Sequence, residues 1–181
     1  MPSDFPGFSS PAAGFEVPLE MLAACHLRIE QQLASLGRID AHLTVHGVDD
    51  QVRGAAGAVI RYFETAAVLH HQDEEIELFP ALLESMAGSD PVCLRELVAG
   101  LTVEHRELES RWRALRPSLQ SLARGEQVPI DSRSIRAFVE LYSRHIARED
   151  AELLPMARRL LSDAELDRIG AAMRQRRGAS L

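Results

Sequence analysis

The chain has 181 residues, of which 46% are hydrophobic and 26% charged, a composition that is ordinary for a soluble globular protein. Its net charge of -7 disfavours a general role in nucleic-acid binding. No apolar run approaches the length of about 18 residues that a membrane span needs, and the first residues lack the pattern of a signal peptide. Cys25 and Cys93 stand in no C-x-x-C spacing, which favours reduced thiols. We therefore expect no membrane segment and a cytoplasmic location.

Residues 1–17 are rich in proline and glycine and carry three phenylalanines, which predicts an irregular N-terminal arm. The arm either packs over one end of the domain or forms a loose leader, and the sequence leaves both open. From Pro18 to about His46, apolar residues recur at three- and four-residue steps. This spacing predicts a first helix, which Gly47 ends.

A second helix is predicted from Asp49 or Asp50, which are good N-caps, to about Met86. Residues 87–91 are then predicted to form a loop, because they contain glycine and proline. A third helix is predicted over about 92–123.

A fourth helix is predicted over about 132–161, with Asp131 or Ser132 as its cap. Pro80 and Pro155 lie late in the second and fourth helices, so we expect each proline to kink or end its helix.

A capping box, Ser162 to Glu165, predicts a short fifth helix to about Arg176. Strand signals are nearly absent. The predicted fold is an all-α, antiparallel, up-down-up-down four-helix bundle. Its predicted parts are the arm (1–17), the bundle (18–161) and a short C-terminal helix and tail (162–181).

The chain also repeats itself. A shift of 75 residues superimposes the second and fourth predicted helices, and a shift of 79 residues superimposes the first and third. The equivalent polar residues are His26 and His105, His70 and His145, and Glu74 and Glu149. Each half is therefore a helical hairpin, and the two halves predict a bundle with a pseudo-twofold internal repeat.

Each predicted helix of the bundle places a histidine on its apolar face. His70 and Glu74 are four residues apart, as are His145 and Glu149, so each pair lies on one side of its helix. A single such histidine is usually a hydrogen-bonded core residue. A matched set of buried imidazoles and carboxylates is instead costly unless a metal neutralises it. Two carboxylates that bridge two divalent cations, with terminal imidazoles, suit iron, manganese or zinc.

At these motifs the chain resembles the hemerythrin-like family with the HHE cation-binding domain, over about residues 18–160. The segments that carry the resemblance are His70…Glu74-Glu75…Leu78-Phe79-Pro80, His145…Glu149…Leu153-Leu154-Pro155, Leu22–Gln31 and Glu104-His105-Arg106-Glu107-Leu108. The resemblance implies an antiparallel bundle with a non-haem di-iron centre, two irons per chain. It also implies that the terminal ligands are His26, His70, His105 and His145, and that Glu74 and Glu149 bridge the metals.

One departure affects the expected activity. Oxygen-carrying hemerythrins have two histidines four residues apart on the third helix, whereas Glu109 stands at the second of these positions here. The chain is therefore more similar to four-histidine members. Several neighbouring residues stay open as further ligands or as supports of the ligands. These are Glu30, His71, Glu75, Glu109, Tyr142 and Asp150. The repeat favours the register of His70 and Glu74 over that of His71 and Glu75, because Ile146 stands at the position equivalent to His71.

By this resemblance the leading hypothesis is a di-iron protein that reacts with or senses a small oxidant in stress response or iron handling. Its expected partner is a small diatomic molecule or a peroxide, that is, oxygen, nitric oxide or peroxide. The alternatives are a module for iron storage, delivery or iron–sulfur repair, and a bundle with structural zinc. We expect no nucleic-acid or membrane partner, and either a monomer or a homodimer.

Overall fold

The computed structural model of the chain describes residues 14–85 and 92–178, and within these ranges all regular structure is helical. The predicted arm at residues 1–13 and the predicted loop at 87–91 lie outside the described residues. The elements are α1 (Pro18–His46), α2 (Asp50–Glu64), α3 (Ala66–Gln72), a first π-helical segment (Asp73–Leu78), α4 (Phe79–Ser85), α5 (Val92–Ala123), α6 (Ser132–Arg148), a second π-helical segment (Glu149–Leu153), α7 (Leu154–Leu160) and α8 (Asp163–Arg176).

The helix starts follow from local side-chain chemistry. The Asp49 carboxylate accepts hydrogen bonds from the backbone of Gln51 and Val52, so it is the N-cap of α2. Asp131 caps α6 in the same way. The predicted capping box at the start of α8 is present, because the Ser162 and Glu165 side chains each bond the other residue's backbone N–H.

The prediction of an uninterrupted second helix is wrong. The chain leaves helical geometry at Thr65, with φ -127° and ψ -78°, and the Thr65 hydroxyl donates to the Arg61 carbonyl at 2.6 Å. Such a bond from a threonine to the preceding turn competes with helix continuation. The fourth predicted helix is also interrupted. At Glu149 its geometry becomes π-helical, and it returns to α-helical at Leu154.

Pro80 and Pro155 lie just past the two π-helical segments. Each proline is the second residue of the α-helix that resumes after its segment. Proline is well suited to the first turn of a helix, where its missing N–H group is tolerated. The predicted kink at each proline stays a prediction.

The long helices pack around a common core. Helix α1 packs against α2 and α6, and α5 packs against the same two helices. The antiparallel, up-down-up-down order stays a prediction. No helix in the described ranges is long and apolar enough to cross a membrane.

The core consists of two apolar clusters with a polar layer between them. His26 lies between Leu22, which belongs to one cluster, and Ile29, which belongs to the other. On α5, His105 lies between Leu101 and Leu108 in the same manner. On the two remaining histidine helices the order is reversed, because Ala67 and Leu141 of the Ile29 cluster precede the histidines and Leu78 and Leu153 of the Leu22 cluster follow them. The polar side chains therefore form one layer across the core.

Helix α8 covers the end of the core that is formed by the apolar cluster containing Leu22, and its Ile169 and Met173 belong to that cluster. It packs against α1 and the first π-helical segment. Gly170 allows the end of the arm to approach α8, because a Cβ atom there would lie 2.0 Å from the Phe15 carbonyl oxygen. The Arg174 guanidinium lies over the Phe15 ring, 5.4 Å from its centroid. The described end of the arm therefore packs on α8.

Candidate metal centre

The structure brings all six predicted site residues into one buried layer. Each of them is at most 1% exposed to solvent. The residues are His26, His70, Glu74, His105, His145 and Glu149. Side chains that are more than a hundred residues apart along the chain thus meet in the core.

The Glu74 carboxylate divides this layer into two sides. Its Oε1 atom lies 3.5 Å from His70 Nε2 and 4.0 Å from His26 Nε2. Its Oε2 atom lies 3.4 Å from His105 Nε2. One carboxylate oxygen therefore faces each side.

The Glu149 carboxylate has the same arrangement. Its Oε2 atom lies 3.1 Å from His26 Nε2, and its Oε1 atom lies 3.0 Å from His145 Nε2 and 3.8 Å from His105 Nε2. Two groups of four ligand atoms result, and each group is compact enough to hold one metal ion. We call them site A (His26, His70, Glu74, Glu149) and site B (Glu74, His105, His145, Glu149).

Buried atoms without hydrogen bonds test whether a metal fits. Among the described residues, His26 Nε2, both ring nitrogens of His70 and all four oxygens of Glu74 and Glu149 are buried and have no hydrogen-bond partner. An unsatisfied buried polar group costs about 1–3 kcal/mol, and a charged one costs more. A cation at each site would satisfy these lone pairs together, because nitrogen and carboxylate oxygen are donors that divalent metals accept. The residues present fit such a group.

The two π-helical segments set the position of the carboxylates. Glu149 is the first residue of its segment, and Glu74 is the second residue of its own. A π-helical turn widens the helix locally and is common at functional sites. The two segments occupy equivalent places in the sequence repeat, so both halves use the same device.

Carboxylates outside the layer orient two of the histidines. The His26 Nδ1–H group donates to Asp150 Oδ1 at 2.7 Å, and the His105 Nδ1–H group donates to Glu75 Oε1 at 2.7 Å. Since an ionised carboxylate only accepts, these bonds place the imidazole proton on Nδ1 and leave Nε2 free to face a metal. Glu75 and Asp150, which the sequence left open as further ligands or as supports, thus lie behind the histidines.

Sequence reasoning missed Glu104, which supports the third histidine. His145 Nδ1 donates to Glu104 Oε2 at 2.8 Å, and the Arg148 guanidinium donates to Glu104 Oε1 at 3.0 Å. Arg148 has room for this bond because Gly100 has no side chain: a Cβ atom there would lie 2.8 Å from an Arg148 nitrogen. The only sequence signal was a glutamate directly before His105, which is common on helix surfaces.

The fourth histidine has no such support. His70 Nδ1 is buried without a hydrogen-bond partner in the described part of the chain. In the 79-residue repeat, Cys25 occupies the position equivalent to Glu104. A buried thiol therefore stands in the place of the carboxylate, and sites A and B differ in this respect.

His71 and Tyr142 form a pair beside site B. His71 Nε2 is hydrogen-bonded to the Tyr142 hydroxyl at 2.8 Å, and the His71 ring stacks on His105 with 4.0 Å between centroids. His71 is also close enough to His105 and His145 for the three imidazoles to share an ion. It thus adds a third histidine to the neighbourhood of site B.

Two other residues that the sequence left open lie away from the layer. Glu30 is exposed on α1. Glu109 is exposed on α5 and accepts a hydrogen bond from Arg106 at 2.7 Å. Neither belongs to either group of ligand atoms.

The buried charges shift one another's pKa values strongly. Burial lowers the pKa of His26, but the Glu149 carboxylate, which lies 3.1 Å from His26 Nε2, outweighs burial and raises that pKa to about 9. Burial is likewise outweighed at His105, where the nearby carboxylates of Glu149 and Glu74 raise the pKa to about 10. Burial, together with the charge of His26, lowers the pKa of His70 well below its usual value.

The two carboxylates respond in opposite directions. Burial and the charge of Glu149 raise the pKa of Glu74 to about 7. At Glu149, burial acts to raise the pKa, but the nearby imidazoles of His145, His105 and His26 lower it well below the usual value. Without metal, the layer therefore keeps its charge balanced by protons on the imidazoles.

These protons make metal binding pH-dependent. Metal must displace protons from His26 and His105, whose pKa values of about 9 and about 10 keep both imidazoles protonated at pH 7. We expect metal loading at pH 7 to release at least about two protons per chain, since Glu74, with a pKa of about 7, is also partly protonated. We expect the apparent affinity to rise as pH increases from about 6.5 towards 9. Proton release into a weakly buffered indicator solution measures the first effect. An affinity that falls over this range would contradict the prediction.

Loss of the Glu104 carboxylate should weaken metal binding. In Glu104→Gln the acceptor for His145 Nδ1–H loses its charge, and loss of such a support typically costs about 10–100-fold in metal affinity. Competition with a chromophoric chelator measures this change. Glu107→Gln is the matched control, because Glu107 lies on the same helix and pairs with Arg111 at the surface. Equal affinities of the two variants would contradict the role of Glu104.

The helical fold and the buried cluster of imidazoles and carboxylates define a metal-binding helical protein. Comparison with known families agrees, because the model of the hemerythrin HHE cation binding domain matches residues 17–157. The chain belongs to this family. It is also 34% identical over 165 residues to an uncharacterised protein of Haemophilus influenzae, covering 91% of this chain and 92% of that protein.

Proposed function

We propose that this chain holds two iron ions, one at site A and one at site B, and that it reacts with or senses a small oxidant. The observation that carries the proposal is the pair of buried carboxylates that face both sites with one oxygen each. In this proposal Glu74 and Glu149 bridge the ions. The four histidines of the layer are the terminal ligands.

The donor set is compatible with iron, and the family match favours iron over the other metals that fit. Imidazole nitrogen and carboxylate oxygen suit iron, manganese and zinc alike, and membership of the HHE family favours iron among them. Iron would supply redox chemistry and open coordination positions for oxygen, nitric oxide or peroxide. Each group offers four protein donors, fewer than the six of an octahedral ion.

The protein's own residues would hold and orient the centre. Asp150, Glu75 and Glu104 fix the tautomers of three histidines. The apolar clusters above and below the layer keep bulk water away from it. His71, hydrogen-bonded to Tyr142, would lie beside the ligands as a support that stacks on His105.

The test is anaerobic reconstitution with ferrous iron followed by exposure to oxygen, nitric oxide or peroxide. We expect about two irons per chain and a new ligand-to-metal charge-transfer absorption after oxidation. At most one iron per chain, with no such absorption, would refute the proposal. The oxidant that reacts fastest would indicate the kind of stress response or iron handling that the protein serves, for which we propose a cytoplasmic location.

A structural metal site is the second candidate, and one observation favours it. The layer joins side chains from α1, α3, the first π-helical segment, α5, α6 and the second π-helical segment, so an ion there would tie these elements together. Elemental analysis of the protein purified without added metal separates the two functions. Zinc alone, with unfolding on its removal, would favour the structural role.

A further inference from the structure

A cavity of about 540 Å³ opens at the surface directly beside site B. Its walls come from α2, α3, the first π-helical segment, α5 and α6. The side chains that matter most for its chemistry are Phe63, Trp112, Phe138, Tyr142, His71 and Arg113. A diatomic molecule or peroxide needs a volume nearer to that of one water, about 30 Å³. The cavity is instead within the range of about 300–1,000 Å³ found for sites of small organic molecules.

The aromatic wall of the cavity favours a flat ligand. The Trp112 ring lies 4.9 Å from the Phe63 ring and 6.0 Å from the Phe138 ring, measured between centroids. These three rings form a continuous apolar surface on which another ring can pack in an offset or edge-to-face arrangement. Trp112 and Phe63 lie on opposite sides of the contact between α5 and α2.

One cation at the cavity, Arg113, has no carboxylate partner within the described part of the chain. Arg106 pairs with Glu75 and Glu109, so its charge is balanced. Arg113 donates only to the backbone carbonyl of Glu109, at 3.3 Å, and no carboxylate in residues 14–85 or 92–178 pairs with it. A guanidinium beside an aromatic wall matches a planar acid, since it can donate two parallel hydrogen bonds to a carboxylate.

The inner end of the cavity reaches the supports of site B. Glu75 lines the cavity and accepts the Nδ1–H bond of His105. His71 also lines it and stacks on His105. A ligand there is therefore separated from the metal layer by one side chain.

We propose that this cavity is a binding site for a small aromatic carboxylic acid, whose ring packs on Trp112 and whose carboxylate pairs with Arg113. The site is distinct from the metal ligands, and the proposal does not depend on which metal or oxidant the centre takes. It gives the chain a second, organic ligand next to its metal layer.

Trp112 reports on this cavity directly, because it is the single tryptophan of the chain. The probe is 4-iodobenzoate, whose iodine quenches tryptophan fluorescence on contact, and the uncharged comparison is 4-iodobenzyl alcohol. We expect saturable quenching by 4-iodobenzoate in the full-length protein. Arg113→Gln should weaken 4-iodobenzoate about threefold, because an exposed ion pair contributes little, and should leave the alcohol unchanged.

Matched substitutions inside and outside the cavity test whether 4-iodobenzoate binds in the cavity or elsewhere on the surface. Val68→Phe fills the cavity and should weaken 4-iodobenzoate at least about tenfold, whereas Val103→Phe lies outside it and should have no effect. Both valines are exposed, at 45% and 66%, so both variants should fold. Ile76→Phe, also exposed and lining the cavity, serves as a second filling variant.

Two results would overturn the proposal. The first is quenching that rises linearly without saturation and is equal in Val68→Phe and Val103→Phe, because this means random collision. The second is equal affinity for the acid and the alcohol with no change in Arg113→Gln, because this removes the carboxylate from the recognition. Metal content measured in each sample shows that neither result comes from a damaged metal centre.

Discussion

Glu74→Ala and Glu149→Ala should each lose at least half of the bound metal, because each carboxylate faces both sites. Removing either one takes a donor from both ions at once. Elemental analysis after reconstitution and desalting measures the loss. Glu74→Gln and Glu149→Gln, which keep the side-chain volume, should show the same loss if charge and coordination are the cause.

The neighbouring carboxylates provide the matched controls. Glu75→Ala and Asp150→Ala remove acceptors for the histidine Nδ1–H groups, and the bridging carboxylates stay in place. These variants should weaken metal affinity by about 10–100-fold and still fill at saturating metal. Equal metal loss in both sets of variants would refute the assignment of Glu74 and Glu149 as the bridging residues.

Asp73→Ala should destabilise the metal-free protein by about 3 kcal/mol. The Asp73 side chain is fully buried and pairs with both Arg176 and Arg177 at the end of α8. Without it, two largely buried guanidinium groups lose their shared carboxylate, and Glu77 remains as a partner of Arg176. Urea unfolding, followed by circular dichroism, measures the change in the free energy of unfolding.

Asp167→Ala is the control, because Asp167 is exposed on α8 and its loss should change stability by less than about 0.5 kcal/mol. A loss below about 1 kcal/mol in Asp73→Ala would show that the ion pairs with α8 contribute little. The ion pairs of Asp73 with α8 also bear on the metal centre, because they hold the residue next to a proposed metal ligand. Asp73 directly precedes Glu74, and the arginines that hold it lie beyond residue 157, where the match to the family model ends.

The candidate metal site was largely predictable, because its signals are local and repeated. His70 with Glu74, and His145 with Glu149, are spaced for one helix face, and the repeat links them to His26 and His105. The two apolar clusters follow from the same periodicity. Membership of the hemerythrin HHE family, predicted from these motifs, is confirmed.

The unpredicted features depend on distant or subtle contacts. Asp73 looks like one more acidic residue on a charged helix, and its partner Arg176 is 103 residues away. A π-helical turn adds one residue without disturbing the apolar pattern on either side, so the sequence predicts a plain helix there. The role of Glu104 depends on how α5 and α6 meet, which spacing along one helix does not reveal.

The replacement of Glu104 by Cys25 in the repeat has a consequence for the order in which metal enters. Both histidines of site B have a carboxylate on Nδ1, and His71 stands beside them. Among the residues that the structure describes, His26 has such a carboxylate at site A and His70 has none, so His70 is the weaker donor. When metal is scarce, we therefore expect site B to fill first and a singly loaded chain to accumulate. Such a half-filled chain could then bind a different metal at site A, and the protein would hold two different metals side by side.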